Sequence, residues 1–578
     1  MRHDCAHVLR TAASSQESYA TFDIRKQRVF RGKRPQQGAT SETGAILTGD
    51  EMKFKFAGCL SLGIVVFAGG VAFAQQLVRA NETADSDSSQ IGSTMSSTPS
   101  SESSAASQPT AASPQAAPPK HMLGPLEISI NWRTRAEGWY WFEGKTGNSD
   151  YGFWDSTLRV GIGQSSERFD WFLEGEQPSI LGLPNNAVVA APQGQLGLGG
   201  SYYAANNNHT NVANGFVKQA FVNFKDVGPA GLKFGRFEYF DGLEVKPKDP
   251  LLATVIQTRI SSRLISNFAF TVVQRSFDGV QLSADSGGNN FTFFGARPTQ
   301  GVFQVKGMDE LNVDTYYGAY TRSVTRKQSA GELRVFALGY IDHRTLVLKT
   351  DNRPTAVRTA DAGKIEIATW GADYVHVFNT SDAGKFDFLV WGVVQTGSWG
   401  NLEQRAGAFV GEVGWQAPVK IVKPWVSAGY SYGSGDGNPN DSRHGTFFQV
   451  LPTPRQYARF PFYNMMNNED LYGTLNLRLV SKLGLRSEVH TLRLASASDL
   501  WYSGGGAFQP QTFGYTGRPS NGNRGLGNVW DVSADYQFAR SFSATLYYGH
   551  AWGKGVISAI YPKDPNGQLI FLETNFHF

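Results

Sequence analysis

Cysteine is scarce: the 578 residues hold two, Cys5 and Cys59. Both precede the cleavage site argued below, so the processed chain is expected to carry no thiol. That excludes disulfide scaffolds, thiolate zinc sites and cysteine catalysis, and it suits an oxidising envelope. Net charge is also scarce, with 53 Lys and Arg against 49 Asp and Glu and a formal +4. A pI near 8.8 is therefore no sign of nucleic-acid binding, which needs a clustered basic face. Beyond Ala74 no stretch reaches the roughly 18 consecutive apolar residues of a spanning helix. If this part of the chain crosses a membrane, it does so as strands. Neither GxSxG nor HExxH occurs.

What is present begins with an export signal. Lys53 and Lys55 precede an apolar run over 57–70 and the A-x-A pattern Ala72-Phe73-Ala74. Together they predict a signal peptide over 52–74, with Gln75 as the first mature residue. Met52 stands where a start belongs, so residues 1–51 are expected to be an upstream mis-extension of the reading frame; an extended signal region is the alternative. Gly58-Cys59 is no lipidation site, because the apolar run follows the cysteine. Residues 75–125 are rich in Ser, Thr, Ala and Pro and cannot bury enough surface to offset their ordering entropy, so a disordered leader is expected. Residues 126–578 are treated as one domain.

That domain alternates with a period of two. Ile128, Ile130, Trp132, Thr134 and Ala136 fall on one face of a strand, and Ser129, Asn131, Arg133, Arg135 and Glu137 on the other. One Arg facing mid-bilayer lipid costs about 2–4 kcal/mol, so the arginines must face inward. Leu158, Val160 and Ile162 oppose Arg159, Leu475, Leu477 and Leu479 oppose Arg478, and Leu483 and Leu485 oppose Arg486 and Glu488. The last residues repeat the grammar, with Leu572, Thr574, Phe576 and Phe578 on one face, and resemble the signal by which outer-membrane barrels are recognised for assembly. Further alternating segments lie near 217–224, 232–237, 291–297, 313–321, 333–341, 365–377, 386–395, 406–415, 426–432, 532–538 and 542–550.

The predicted fold is all-β, a transmembrane antiparallel up-and-down β-barrel of about 18 strands, with 16 as the alternative count. Short turns such as Ser165-Ser166-Glu167 and Ala539-Arg540 are expected at the periplasmic end, and long segments such as 177–214 at the extracellular end. A soluble β-propeller or β-helix explains neither the aromatic belts nor the charged face opposed to a wholly apolar one.

Four motifs in order, Phe234-Gly-Arg-Phe-Glu-Tyr-Phe-Asp-Gly242, Gln274-Arg-Ser-Phe-Asp-Gly-Val280, Gly435-Asp-Gly-Asn-Pro-Asn-Asp441 and Pro452-Thr-Pro-Arg455, resemble the alginate export family of outer-membrane porins. The resemblance runs across most of 126–578. It implies an 18-stranded barrel whose arginine-rich constriction passes a negatively charged uronate polymer, with loops as plugs. Arg135, Arg236, Arg275 and Arg455 match the basic constriction, and Asp278 its acidic partner. The segment Tyr457-Ala-Arg-Phe-Pro-Phe-Tyr463 is bulkier than the alginate exporter implies, which leaves the polymer's identity open.

By parity Arg133, Arg135, Arg159, Arg478 and Arg486 line the pore, with Glu137 and Glu488 beside them; Arg236, Arg275 and Arg297 have ambiguous parity. Guanidinium groups stay charged and grip carboxylates through paired hydrogen bonds, so such a lining favours anions. In the competing reading each arginine is neutralised by a neighbouring carboxylate and braces the wall. The expected function is an outer-membrane channel for an anionic polysaccharide or oligosaccharide, with a general or nutrient porin as alternative and a barrel-embedded hydrolase as a third reading. A hydrolase would need a serine beside His490 or His550, which parity places on different faces. Asp436, Asn438 and Asn440 have the first spacings of a calcium loop but lack its glycine and terminal glutamate. No cofactor or metal is expected. The partners are the anionic sugar, outer-membrane lipid, the barrel-assembly machinery and periplasmic export proteins.

Overall fold

The computed structural model describes residues 121–578 apart from Pro229 and Leu346. The expected mis-extension, signal peptide, both cysteines and nearly all of the leader lie outside the described residues. The strands run as β1 (Leu126–Tyr140), β2 (Asp150–Ser165), β3 (Phe169–Leu181), β4 (Phe216–Val227), β5 (Ala230–Phe237) and β6 (Phe277–Ser286). They continue as β7 (Asn289–Pro298), β8 (Val313–Thr325), β9 (Ser329–Asp342), β10 (Ile365–Thr380), β11 (Gly384–Trp399) and β12 (Leu402–Gln416). The remainder are β13 (Trp425–Gly433), β14 (Asn468–Val480), β15 (Leu483–Arg493), β16 (Gly525–Ala539), β17 (Phe542–Gly553) and β18 (Asn566–His577).

Each pairs antiparallel with the next, and β18 returns to β1 with Trp132 against Phe576 and Arg135 against Glu573, closing an 18-stranded barrel. Closure removes the unpaired edge that an open sheet would expose to lipid. The expected count of 18 therefore holds, although two strands escaped the alternation. In β3 the inward Glu174 and Glu176 and the interposed Pro178 break the pattern, and the long segment expected from 177 begins after Leu181. In β6 only Val280 and Leu282 mark the outer face among Asp, Gln and Ser.

The two faces separate by exposure. Phe293, Val413 and Leu471 are 59%, 62% and 62% exposed, whereas Arg135, Arg159 and Arg334 are each 1% exposed. Connections at one end are short, including 166–168, 481–482 and 540–541; at β6–β7, Gly287 and Gly288 both take positive φ (57° and 82°), the tight hairpin turn that glycine permits. The long connections 182–215, 238–276, 434–467 and 494–524 gather at the other end. The last residues of the expected leader, His121–Leu123, fold back on β1, and His121 stacks on Phe578 at 3.6 Å between ring centroids.

Two long connections fill the lumen. Ser266 N–H donates to Leu451 O (2.9 Å), Leu451 N–H to Leu264 O (2.8 Å) and Thr453 N–H to Ser262 O (3.0 Å), so residues 238–276 and 434–467 are knitted by a short backbone ladder whose one bridge, Ile265 with Leu451, is parallel. A buried peptide group left unpaired would cost about 1–3 kcal/mol, and the ladder supplies those partners. On this inner segment a short helix, Pro250–Val255, is capped by Asp249 through Leu251 N–H and Leu252 N–H (2.9 and 3.0 Å), and one π-turn, Ile256–Ile260, follows. It aims Arg259 at the far wall, toward Glu412 of β12 (3.4 Å), Thr474 of β14 (3.0 Å) and Glu488 of β15 (3.6 Å).

Candidate solute-binding site in the lumen

The first-strand arginines face inward as parity requires, and they grip the inner segment. Arg133 donates to the carbonyls of Ala269 (2.7 Å) and Thr271 (2.6 Å). Arg135 pairs with Glu573 (2.6 Å) and Glu137 (3.0 Å) and also donates to Phe270 O (3.1 Å). Glu137 accepts from Trp139 Nε1 as well (2.8 Å). Arg159 is likewise engaged, with Glu176 at 2.7 Å, Glu238 at 3.2 Å and Gln274 Oε1 at 3.0 Å. Arg486 holds Glu488 at 2.6 Å. Arg478 is half-buried near the short-turn end of β14.

Arg236 and Asp278 depart from the expected lining. They pair at 2.6 Å on the face shared by Phe234 and Val280, which is the outer one. Arg297 stands outside too, between Asp314 (2.5 Å) and Glu310 (3.0 Å). Position near the strand ends and an ion pair in register across β5 and β6 make an outward arginine affordable there, where mid-bilayer lipid would not. Arg275 lies inside and donates to Gly505 O at 2.6 Å, and burial pulls its guanidinium down to about 10.

Arg455 is different. It is 5% exposed, its Nε donates to Arg459 O (2.9 Å), and its two terminal nitrogens have no hydrogen-bond partner among the described residues. Burial holds its guanidinium below the usual range. The guanidinium lies 4.4 Å from the centroid of the Phe270 ring, whose backbone carbonyl Arg135 holds. Both Phe270 and Arg455 line a cavity of about 490 Å³ at the long-connection end, walled by Trp141, Phe268, Tyr463, Phe508, Phe513, Tyr515 and Arg518. Arg518 is spoken for by Gln193 O (3.2 Å), Gln195 O (3.2 Å) and Ser503 Oγ (2.8 Å). The cavity thus sets aromatic faces beside a buried guanidinium whose terminal N–H donors are unsatisfied among the described residues, a setting suited to a carboxylate on a ring-shaped body.

Several inner arginines went unnamed in the sequence. Arg334 sits between the outward Leu333 and Val335 and pairs with Asp373 at 2.7 Å; parity alone marks it. Arg259 and Arg263, four residues apart, form a second group, with Arg263 stacked 3.9 Å from the Tyr457 ring. Arg459 donates to Ser533 Oγ on β16. His490 faces inward beside Asp470 (2.8 Å), whereas His550 lies on the outer face with Trp552. The 436–441 segment is a run of turns, with Asn438 N–H on Asp436 Oδ1 (3.0 Å) and Asn440 N–H on Asn438 Oδ1 (3.1 Å).

Among solved structures, the outer membrane protein OpdK from Pseudomonas aeruginosa is similar at 10% identity and a TM-score of 0.44, over 78% of this chain and 98% of that one. OccAB2 from Acinetobacter baumannii is similar at 9% identity and 0.48, over 78% and 98%, and OccK9 (OpdG) from Pseudomonas aeruginosa at 10% and 0.46, over 78% and 98%. No curated protein sequence matches the chain. The family model for alginate export matches residues 198–555, more than half of the sequence, and contains all four motifs in full. By that match the chain belongs to the alginate export family, folded as a closed antiparallel 18-stranded barrel.

Proposed function

We propose that the protein is an outer-membrane channel that passes a carboxylate-bearing sugar, an alginate-like polysaccharide or oligosaccharide, with Arg455 as the point of recognition. The long connections would face outward and the signal over 52–74 would deliver the chain after cleavage between Ala74 and Gln75. One observation carries the reading: Arg455 lines the cavity, and the two terminal nitrogens of its buried guanidinium have no hydrogen-bond partner among the described residues. A desolvated donor pair of this kind loses about 1–3 kcal/mol while unpaired and recovers it when a carboxylate binds. The other predicted lining arginines serve differently in this scheme, since Arg133, Arg135 and Arg159 spend their donors on the inner segment and its carboxylates.

A second reading, passage of small anionic solutes, is favoured by the cavity's size and by the backbone ladder that fills the lumen. Planar-bilayer conductance separates the two. Block by long oligouronates supports polymer passage; block by a monouronate alone supports the small-solute channel. In both readings Arg455→Ala reduces uronate block about tenfold or more, in line with the loss of a charged hydrogen-bonded pair. Equal block by neutral sugars and uronates would sink both.

A further inference from the structure

Three carboxylates and an imidazole meet on the inner wall where β14, β15 and β16 lie side by side. Glu488 and His490 are two residues apart on β15 and point the same way, and Asp531 of β16 is directly opposite Glu488 in register. One ligand atom of each lies within 4.8 Å of the others. All three residues are buried, at 2% exposure or less. Like charges placed directly across a strand pair destabilise a sheet, so Glu488 and Asp531 favour positive charge beside them, part of which arginines supply at Glu488. Arg486 (2.6 Å) and Arg259 (3.6 Å) approach Glu488 Oε1, while Oε2 has no hydrogen-bond partner among the described residues.

The histidine is held from behind. Its Nδ1 lies 2.8 Å from Asp470 Oδ2, so in the tautomer protonated at Nδ1 this nitrogen donates to the carboxylate and Nε2 is left for a ligand. Nε2 is buried and has no partner among the described residues. A carboxylate behind one imidazole nitrogen, with the other nitrogen left as an acceptor, is the arrangement that orients a histidine as a metal ligand.

We propose that Glu488, His490 and Asp531 bind one divalent transition-metal ion, of the Zn²⁺ class, with Asp470 as the positioning residue for His490. An imidazole with two carboxylates suits Zn²⁺ or Cu²⁺, whereas Ca²⁺ and Mg²⁺ take oxygen sets. Bound at about 2.0–2.2 Å from each ligand atom, the ion ties β15 to β16 and relieves the opposed carboxylates. It sits beside Ser533, where Arg459 docks the 434–467 segment on the wall.

Titration calorimetry of the full chain in detergent with Zn²⁺ tests this. One ion binds per chain; His490→Ala abolishes that binding, Asp470→Asn weakens it about 10–100-fold, and His550→Ala on the outer face leaves it unchanged. Cu²⁺ loaded in place of Zn²⁺ shows a single nitrogen ligand by electron paramagnetic resonance, absent in His490→Ala. Glu488→Gln keeps size and shape and guards against misfolding, with barrel closure followed by heat-shifted gel mobility. Absence of stoichiometric binding in the parent chain overturns the proposal. So does binding that persists in both His490→Ala and Glu488→Gln, which would leave the cluster an ion-paired brace of the wall only.

Discussion

Arg135 and Arg455 are both inside the barrel, both buried and both close to Phe270, yet their surroundings are opposite. Arg135 has Glu573, Glu137 and the Phe270 carbonyl at hydrogen-bond distance, whereas the terminal nitrogens of Arg455 have no partner among the described residues. The difference teaches that the face on which a charge stands does not state its task. A guanidinium with every donor spent fixes structure; one with donors to spare in a cavity is ready for a ligand.

The contrast can be broken most strongly at Arg135. Arg135→Leu leaves Glu573 and Glu137 buried without their partner and is expected to cost about 3–5 kcal/mol, read as a lower urea midpoint for barrel unfolding in detergent. Next comes the ladder between the inner segments. Leu451→Pro removes the N–H donated to Leu264 O, orphaning that carbonyl at a cost of about 1–3 kcal/mol; single-channel conductance should rise as the filling loosens. Unchanged conductance would show that the ladder does not restrict the path. By contrast Arg455→Ala should leave the unfolding midpoint within about 0.5 kcal/mol of the parent while uronate block falls, and a large stability loss there would erase the distinction drawn here.

The smallest effect expected is on pH. Asp499 and Asp241, in the inward connections, are pushed up to about 6 by burial from ordinary values near 3.8. A carboxyl whose folded value is raised holds its proton more tightly when folded. The penalty for burying the anion is therefore full above about 6 and fades as pH falls toward 4. Mild acid should protect the long connections from proteolysis, most visibly between those two values. Protection that instead declines from pH 7 to pH 5 would contradict the assignment, and Asp499→Asn should flatten the profile.

The wall was legible in the sequence because lipid enforces one rule at every second residue: Ile128, Ile130 and Trp132 could not trade places with Arg133 and Arg135 without cost. Sixteen of the strands follow from that alternation, and β3 and β6 escape it where polar residues dilute the outer face. The lumen was far less legible. Parity turned Arg133 inward but could not supply Ala269, a partner 136 residues away. Motif neighbourhood misled at Arg236, because Phe234 and Arg236 share a face and the outer Asp278 stands opposite in the next strand. Arg455 was singled out by its motif, yet its unspent donors depend on the meeting of two connections that no local pattern announces.

The salt bridge between Arg135 and Glu573 joins the first strand to the last, and the same guanidinium holds the Phe270 carbonyl. Until β18 has zipped onto β1, Arg135 has Glu137 of its own strand and Asp155 of the next as counter-charges, but not Glu573. The seam and the seat of the inner segment at Phe270 therefore share one side chain. Circumference and contents are thereby interlocked, so that loosening the closure also loosens what it encloses.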